Sequence, residues 1–170
     1  MAHVSTGDLI RNDIMKGHPS LENLVKSGAL IPSDKVMKML SQRFESLDKD
    51  PSCAGVLVDG FPRTPDQLDL LINELHRKPS AAILLYIEEN DMVQRILKRG
   101  EYSNRSDDTE QVAKDRIKKF KENEEGILRK LEKYGIRIIH IDGVGTPEQV
   151  YEKVHEAVLE ILRPNEKGKE

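Results

Sequence analysis

Three stretches of this chain carry residue types suited to holding phosphate. The first is Val56-Leu57-Val58-Asp59-Gly60-Phe61-Pro62-Arg63. Three apolar residues lead to an acid, as at the end of a strand, where a carboxylate can help hold Mg²⁺ beside a transferring phosphoryl group. Gly60 permits close backbone approach, Pro62 fixes the turn, and Arg63 offers a planar fork that matches two phosphate oxygens. An ordinary turn accounts for the acid, but Asp-Gly-Phe-Pro-Arg as a whole is uncommon in a generic turn. The second stretch is Ser5-Thr6-Gly7-Asp8-Leu9-Ile10-Arg11. Ser5 can cap a helix, with Asp8 completing a capping box and Arg11 left in solvent. Equally, a hydroxyl and a guanidinium fall on the first turns of a helix, where anions bind. The third runs over residues 95–108, with Arg116 beyond it. Arg95 and Arg99 share a helical face, Arg105 lies in a polar loop, and Arg116 returns on the next helix. Four arginines there could close on a polyphosphate, or form a solvated charged face.

The apolar pattern gives the elements that must position these side chains. Residues 55–58, 81–87 and 136–141 read as strands, and each run is followed by an acid: Asp59, Glu88 and Asp142. The first two are continuous rather than alternating, which suggests strands buried on both faces of a parallel sheet. Helical patterns lie between them. One starts at Thr64-Pro65-Asp66-Gln67 and another at Thr146-Pro147-Glu148-Gln149, each a capping box with Pro at the first helical position. A third follows Pro32-Ser33, with Val36, Leu40 and Phe44 on one face, and a long one runs from about Thr109 towards Tyr134. Strands alternating with helices imply an open α/β sheet, whose ligands sit at the carboxyl ends of the strands.

Composition narrows the class. The chain has 170 residues, 37% hydrophobic and 34% charged, which suits one folded domain. Its net charge of −3 weighs against a nucleic-acid binder, which would carry a basic excess. The lone cysteine, Cys53, excludes a disulfide framework and fits a reducing, cytoplasmic setting. No apolar run approaches the roughly 20 residues that a bilayer span needs, and no signal-peptide pattern is visible. No membrane or nucleic-acid partner is therefore expected. The five histidines show no metal-ligand spacing. Residues 163–170 read as a polar tail.

The three phosphate-suited stretches, in this order and spacing, resemble the adenylate kinases of the nucleoside monophosphate kinase family. The resemblance covers about 1–162. It implies a P-loop-kinase-like open parallel sheet flanked by helices, a monophosphate-binding segment at about 12–46 and a short lid at about 99–108. It implies the reaction ATP + AMP ⇌ 2 ADP, with ATP and AMP as partners and Mg²⁺ accompanying ATP. By resemblance, Thr6, Arg11, Ile31, Gly60, Arg63 and Gln67 bind AMP. Arg95, Arg99, Arg105 and Arg116 serve the transferring phosphoryl group. Arg99 and Gly145 contact ATP, and Asp59 holds the metal indirectly, through water, as in a Walker-B strand. Thr6 and Gln67 favour AMP over UMP or CMP, because the pyrimidine kinases tend to place Ala and Asn at these positions.

One family element has no counterpart here. The phosphate-cradling pattern G-x-x-x-x-G-K-[ST] occurs nowhere in the sequence. By resemblance, the chain begins near the family's second strand, at about His3. The first strand and P-loop are then missing, as in a truncated gene model or a fragment of a longer polypeptide. In the family that first strand is central. Its loss would expose unpaired backbone and forfeit about 1.5–3 kcal/mol per buried aliphatic side chain, against a total stability of about 5–15 kcal/mol. The chain alone is expected to be unstable, or to be completed by self-association or by an N-terminal segment that covers the sheet. A non-catalytic nucleotide-binding or assembly module and a UMP/CMP kinase are the competing readings.

Overall fold

The aliphatic runs become short parallel strands, and the capped amphipathic stretches become the helices around them. A computed structural model describes residues 1–17, 19–103 and 108–163. In chain order these form β1 (Ala2–Ser5), α1 (Thr6–Met15), a 3₁₀ turn (Pro19–Leu21), α2 (Glu22–Lys26), α3 (Ser33–Asp48), β2 (Val56–Asp59), α4 (Pro65–Asn73), β3 (Ala81–Tyr86), α5 (Glu89–Ser103), α6 (Glu110–Lys133), β4 (Arg137–Asp142) and α7 (Pro147–Leu162). Four helices start on a hydroxyl cap. Ser5, Thr64, Thr109 and Thr146 each accept a hydrogen bond from the backbone N–H three residues on. The box at Thr146 is complete, because Gln149 Oε1 accepts from the Thr146 N–H at 2.9 Å.

The parallel strands lie in two pairs rather than one sheet. β1 runs beside β2 with Ser5 opposite Asp59, and β3 beside β4 with Tyr86 opposite Asp142. Among the described residues, β2 and β3 each have a strand neighbour on one side only. This corrects the expectation that both are buried on both faces. Val56, Leu57, Leu85 and Tyr86 are 38–46% exposed, because no strand covers the second edge.

Both pairs rest on one apolar core. Val36, Leu40 and Phe44 of α3, Leu68 and Leu71 of α4, and Ile127 and Leu131 of α6 are its buried centre. Val58, Ala82 and Ile138 bring the strands onto it. At Gly126 a Cβ would stand 2.6 Å from Pro65 Cγ, so only glycine lets α6 approach the start of α4 so closely. A smaller cluster, Val93, Ala113 and Ile117, joins α5 to α6. No helix among the described residues is long and apolar enough to cross a membrane.

Candidate functional site

The β1–β2 pairing carries Ser5 and Asp59 to the same level, so the start of α1 meets the loop after β2. Thr6, buried at the first turn of α1, directs its hydroxyl at both the Asp59 and Gly60 carbonyls, at 3.1 and 3.0 Å. Gly60 has φ +73°, and a Cβ there would stand 2.9 Å from the Thr6 hydroxyl. Here glycine is required twice, by the left-handed backbone and by the neighbour. Arg63 Nε donates back to the Gly60 carbonyl at 2.9 Å, which folds its guanidinium over the loop. Arg11 pairs with Asp8 one turn earlier, so the Asp8 carboxylate serves Arg11.

Gln67 is buried at the start of α4. Its backbone N–H meets Thr64 Oγ1 at 3.4 Å, as the capping box predicts. The reciprocal half differs: Gln67 Oε1 accepts from the Arg63 N–H at 2.7 Å. One residue upstream of the cap, the chain turns so that Arg63 rather than Thr64 faces the amide. With Oε1 so engaged, the Nε2 amide has no protein acceptor among the described residues.

The second half of the site comes from α5 and α6. Asp108, with its side chain fully buried, receives Arg99 Nε at 2.7 Å and Arg99 Nη2 at 2.8 Å. Arg116 Nη1 reaches the same carboxylate at 3.0 Å. Burial alone would raise this carboxyl; the hydrogen bonds and charges of Arg99, then Arg116, outweigh it and hold it below the usual carboxylate range. Arg63 keeps an exposed surface, yet the protein around it displaces bulk water. That desolvation first, and the nearby Arg116 charge second, pull its guanidinium below its ordinary range, while Asp59 opposes them. Arg11 and Arg99 press on Arg63 in the same sense. Arg11, Arg63, Arg99 and Arg116 therefore form one electrostatic cluster, suited to an anion carrying several oxygens.

Other anticipated residues fall around this cluster. Gly28, at φ +64°, lies against Val112 and Arg116, and Lys119 Nζ donates to its carbonyl at 2.9 Å. The Gly28–Ile31 stretch is thereby held on α6, and Ile31, half-buried, packs on the main core. Arg95 leaves its helical neighbour Arg99 and donates to the Gly145 carbonyl at 3.0 Å, in the loop before α7. Arg105 lies outside the described residues.

Asp59 offers an exposed carboxylate at the β2 end, 3.8 Å from His3 Nε2. No group of three or more His, Cys, Asp or Glu side chains among the described residues is arranged to hold a metal. One accessible carboxylate still fits Mg²⁺, which keeps its waters and binds through one or two carboxylates plus the phosphates of a nucleotide. Asp108 and Gly100 are the site residues that sequence reasoning missed. The signal was an acid set between four arginines; its burial comes from a tertiary approach that spacing does not show.

The model of the family described as "Adenylate kinase" matches residues 1–136. The adenylate kinase of Thermus thermophilus is 31% identical over 161 residues, covering 91% of this chain and 82% of that protein. Those of Nocardia farcinica and Bacteroides fragilis are each 33% identical over 162 residues, covering 92% of this chain and 84% of theirs.

Proposed function

Because this chain belongs to the adenylate kinase family, we propose that it holds the AMP side of the transfer ATP + AMP ⇌ 2 ADP. The observation that carries this reading is the guanidinium cluster of Arg11, Arg63, Arg99 and Arg116, set beside a buried amide with a spare donor. The AMP phosphate would lie among the guanidiniums. The adenine would lie towards Thr6, Ile31 and Gln67, with Gln67 Nε2 donating to the base edge. In the transfer, an oxygen of AMP forms a bond to the terminal phosphorus of ATP, and the bond to the bridging oxygen breaks. The protein supplies position and charge for this step and needs no general base. Arg99 and Arg116 would neutralise charge on the transferring group, and Arg95 would face the ATP side with Gly145. Mg²⁺, when bound with ATP, neutralises the phosphates, and Asp59 is the residue that would hold it through water.

The sequence contains no G-x-x-x-x-G-K-[ST] segment. That favours a second reading, AMP binding without turnover by the chain on its own. The half-open edges of β2 and β3 suit an added parallel strand, from another copy or from a preceding segment; sedimentation at several concentrations checks the former. The deciding experiment assays ADP formation from ATP, AMP and Mg²⁺ beside AMP calorimetry. Turnover supports the full transfer. Binding without turnover supports the acceptor half alone. Absence of both sinks the reading, and tighter binding of UMP or CMP replaces AMP with a pyrimidine nucleotide.

A further inference from the structure

The structure assigns Asp108 as a positioning residue: its buried carboxylate orients Arg99 and Arg116 for the phosphate, and Gly100 makes room for it. This inference rests on the phosphate-binding reading above. Three observations carry it. The carboxylate is fully buried and spends both oxygens on the two guanidiniums, bidentate to Arg99 and single to Arg116. These arginines come from different helices, α5 and α6, so one anion sets the relative placement of both. Finally, a Cβ at Gly100 would stand 3.1 Å from both the Asp108 Cβ and the Asp108 carbonyl oxygen. Glycine in a helix interior costs about 1 kcal/mol relative to alanine. Here it lets the chain entering α6 press against α5 and place the carboxylate between the arginines.

A long flexible arginine loses side-chain entropy when it is held in one geometry. Asp108 fixes two before any ligand arrives, so the phosphate meets a preformed fork rather than two mobile side chains. The Val93–Ala113–Ile117 cluster beneath holds the two helices at the spacing that this arrangement needs.

The test compares the full chain with Asp108→Asn and Gly100→Ala. Phenylglyoxal labelling, mapped by mass spectrometry, reports on each arginine, and calorimetry reports AMP affinity. Labelling of Arg99 and Arg116 is expected to accelerate several-fold in both variants, while Arg77, remote and paired with Asp48, keeps its rate. AMP affinity is expected to fall about tenfold in Asp108→Asn, the cost of misplaced binding groups. Gly100→Ala, which keeps the carboxylate and only shifts it, guards against a folding failure in the first variant. Unchanged labelling overturns the inference. Tighter AMP binding by Asp108→Asn also overturns it, because a carboxylate that only opposes the phosphate charge gives that sign when neutralised. Failure of the unsubstituted chain to bind AMP sinks the acceptor-site reading instead; the labelling still decides whether Asp108 holds the two arginines.

Discussion

The Thr6 hydroxyl lies 3.0 Å from the Gly60 carbonyl and 2.9 Å from the point where a Gly60 Cβ would stand. The start of α1 and the loop after β2 thus meet through a contact that tolerates no added methyl. Gly60→Ala is expected to destabilise the chain by about 1–3 kcal/mol through the positive φ and the contact, and to weaken AMP binding with it. Urea denaturation and calorimetry on the same samples measure both.

Arg63→Ala separates binding from folding. The guanidinium stands among three like charges, so its removal is expected to leave the thermal midpoint unchanged or higher. AMP affinity is expected to fall about tenfold to a hundredfold, since hydrogen bonds to charged groups are worth about 1.5–3 kcal/mol. Unchanged AMP affinity would remove Arg63 from the site.

Gln67→Asn shortens the side chain and withdraws Oε1 from the Arg63 N–H. The ratio of AMP to CMP affinity is expected to fall about tenfold, with one lost hydrogen bond worth about 1 kcal/mol and a misplaced donor adding to it. Competition between the two nucleotides for one labelled analogue reads this ratio directly.

Acid should loosen the α5–α6 unit. The Asp108 carboxyl is held below its unfolded value, so the unfolded chain binds its proton more readily. Its contribution is complete above about pH 4, the ordinary carboxylate value, and is lost as pH falls through the lower folded value. Arg99 and Arg116 are the charges that face it. Unfolding free energy measured across this range should slope less in Asp108→Asn than in the parent. Equal slopes would show that Asp108 does not drive the acid dependence.

Gly126→Ala sets propensity against packing. Alanine favours a helix by about 1 kcal/mol over glycine, yet here its methyl meets Pro65 at 2.6 Å. Overpacking costs about 1–3 kcal/mol, so a net loss of stability is expected. A gain in urea midpoint would mean that α4 can move aside.

Local chemistry made much of this legible. Thr64, Thr109 and Thr146 announce their helices, because a cap is a contact over three residues. β2, β3 and β4 announce themselves through apolar runs, with boundaries that shift by at most a residue, whereas β1, Ala-His-Val-Ser, carries no such run and is placed only by resemblance. What sequence could not show is long-range. The edges of β2 and β3 depend on what lies beside them, and burial of Val56 or Leu85 cannot be read from apolarity alone. α2 has five residues and no side-chain cap, so nothing local marks it. Asp108 reads as one more charge in a charged loop until Gly100 is seen against it. The cluster of Arg11, Arg63, Arg99 and Arg116 was reachable from motif order, whereas Arg95 departs towards Gly145 for reasons of tertiary placement.

The two halves of the site differ in how far the chain must loop to build them, and this biases the order in which a complete chain assembles them. Asp108 meets Arg116 and Arg99 across only 8 and 9 residues, whereas Thr6 meets Gly60 across 54. Ring closure costs about 2 kcal/mol for the short segments and roughly 3–4 for the long one, beyond a shared constant. The α5–α6 hairpin can therefore nucleate on its own neighbours while β1 is still searching for β2. During synthesis β1 emerges first and finds its partner only after β2 has followed it out of the ribosome. On refolding of the whole chain, the Asp108 pairs with Arg99 and Arg116 are therefore expected to form ahead of the Thr6–Gly60 contact, whereas on the ribosome residues 2–60 are free to pair before residue 99 is made.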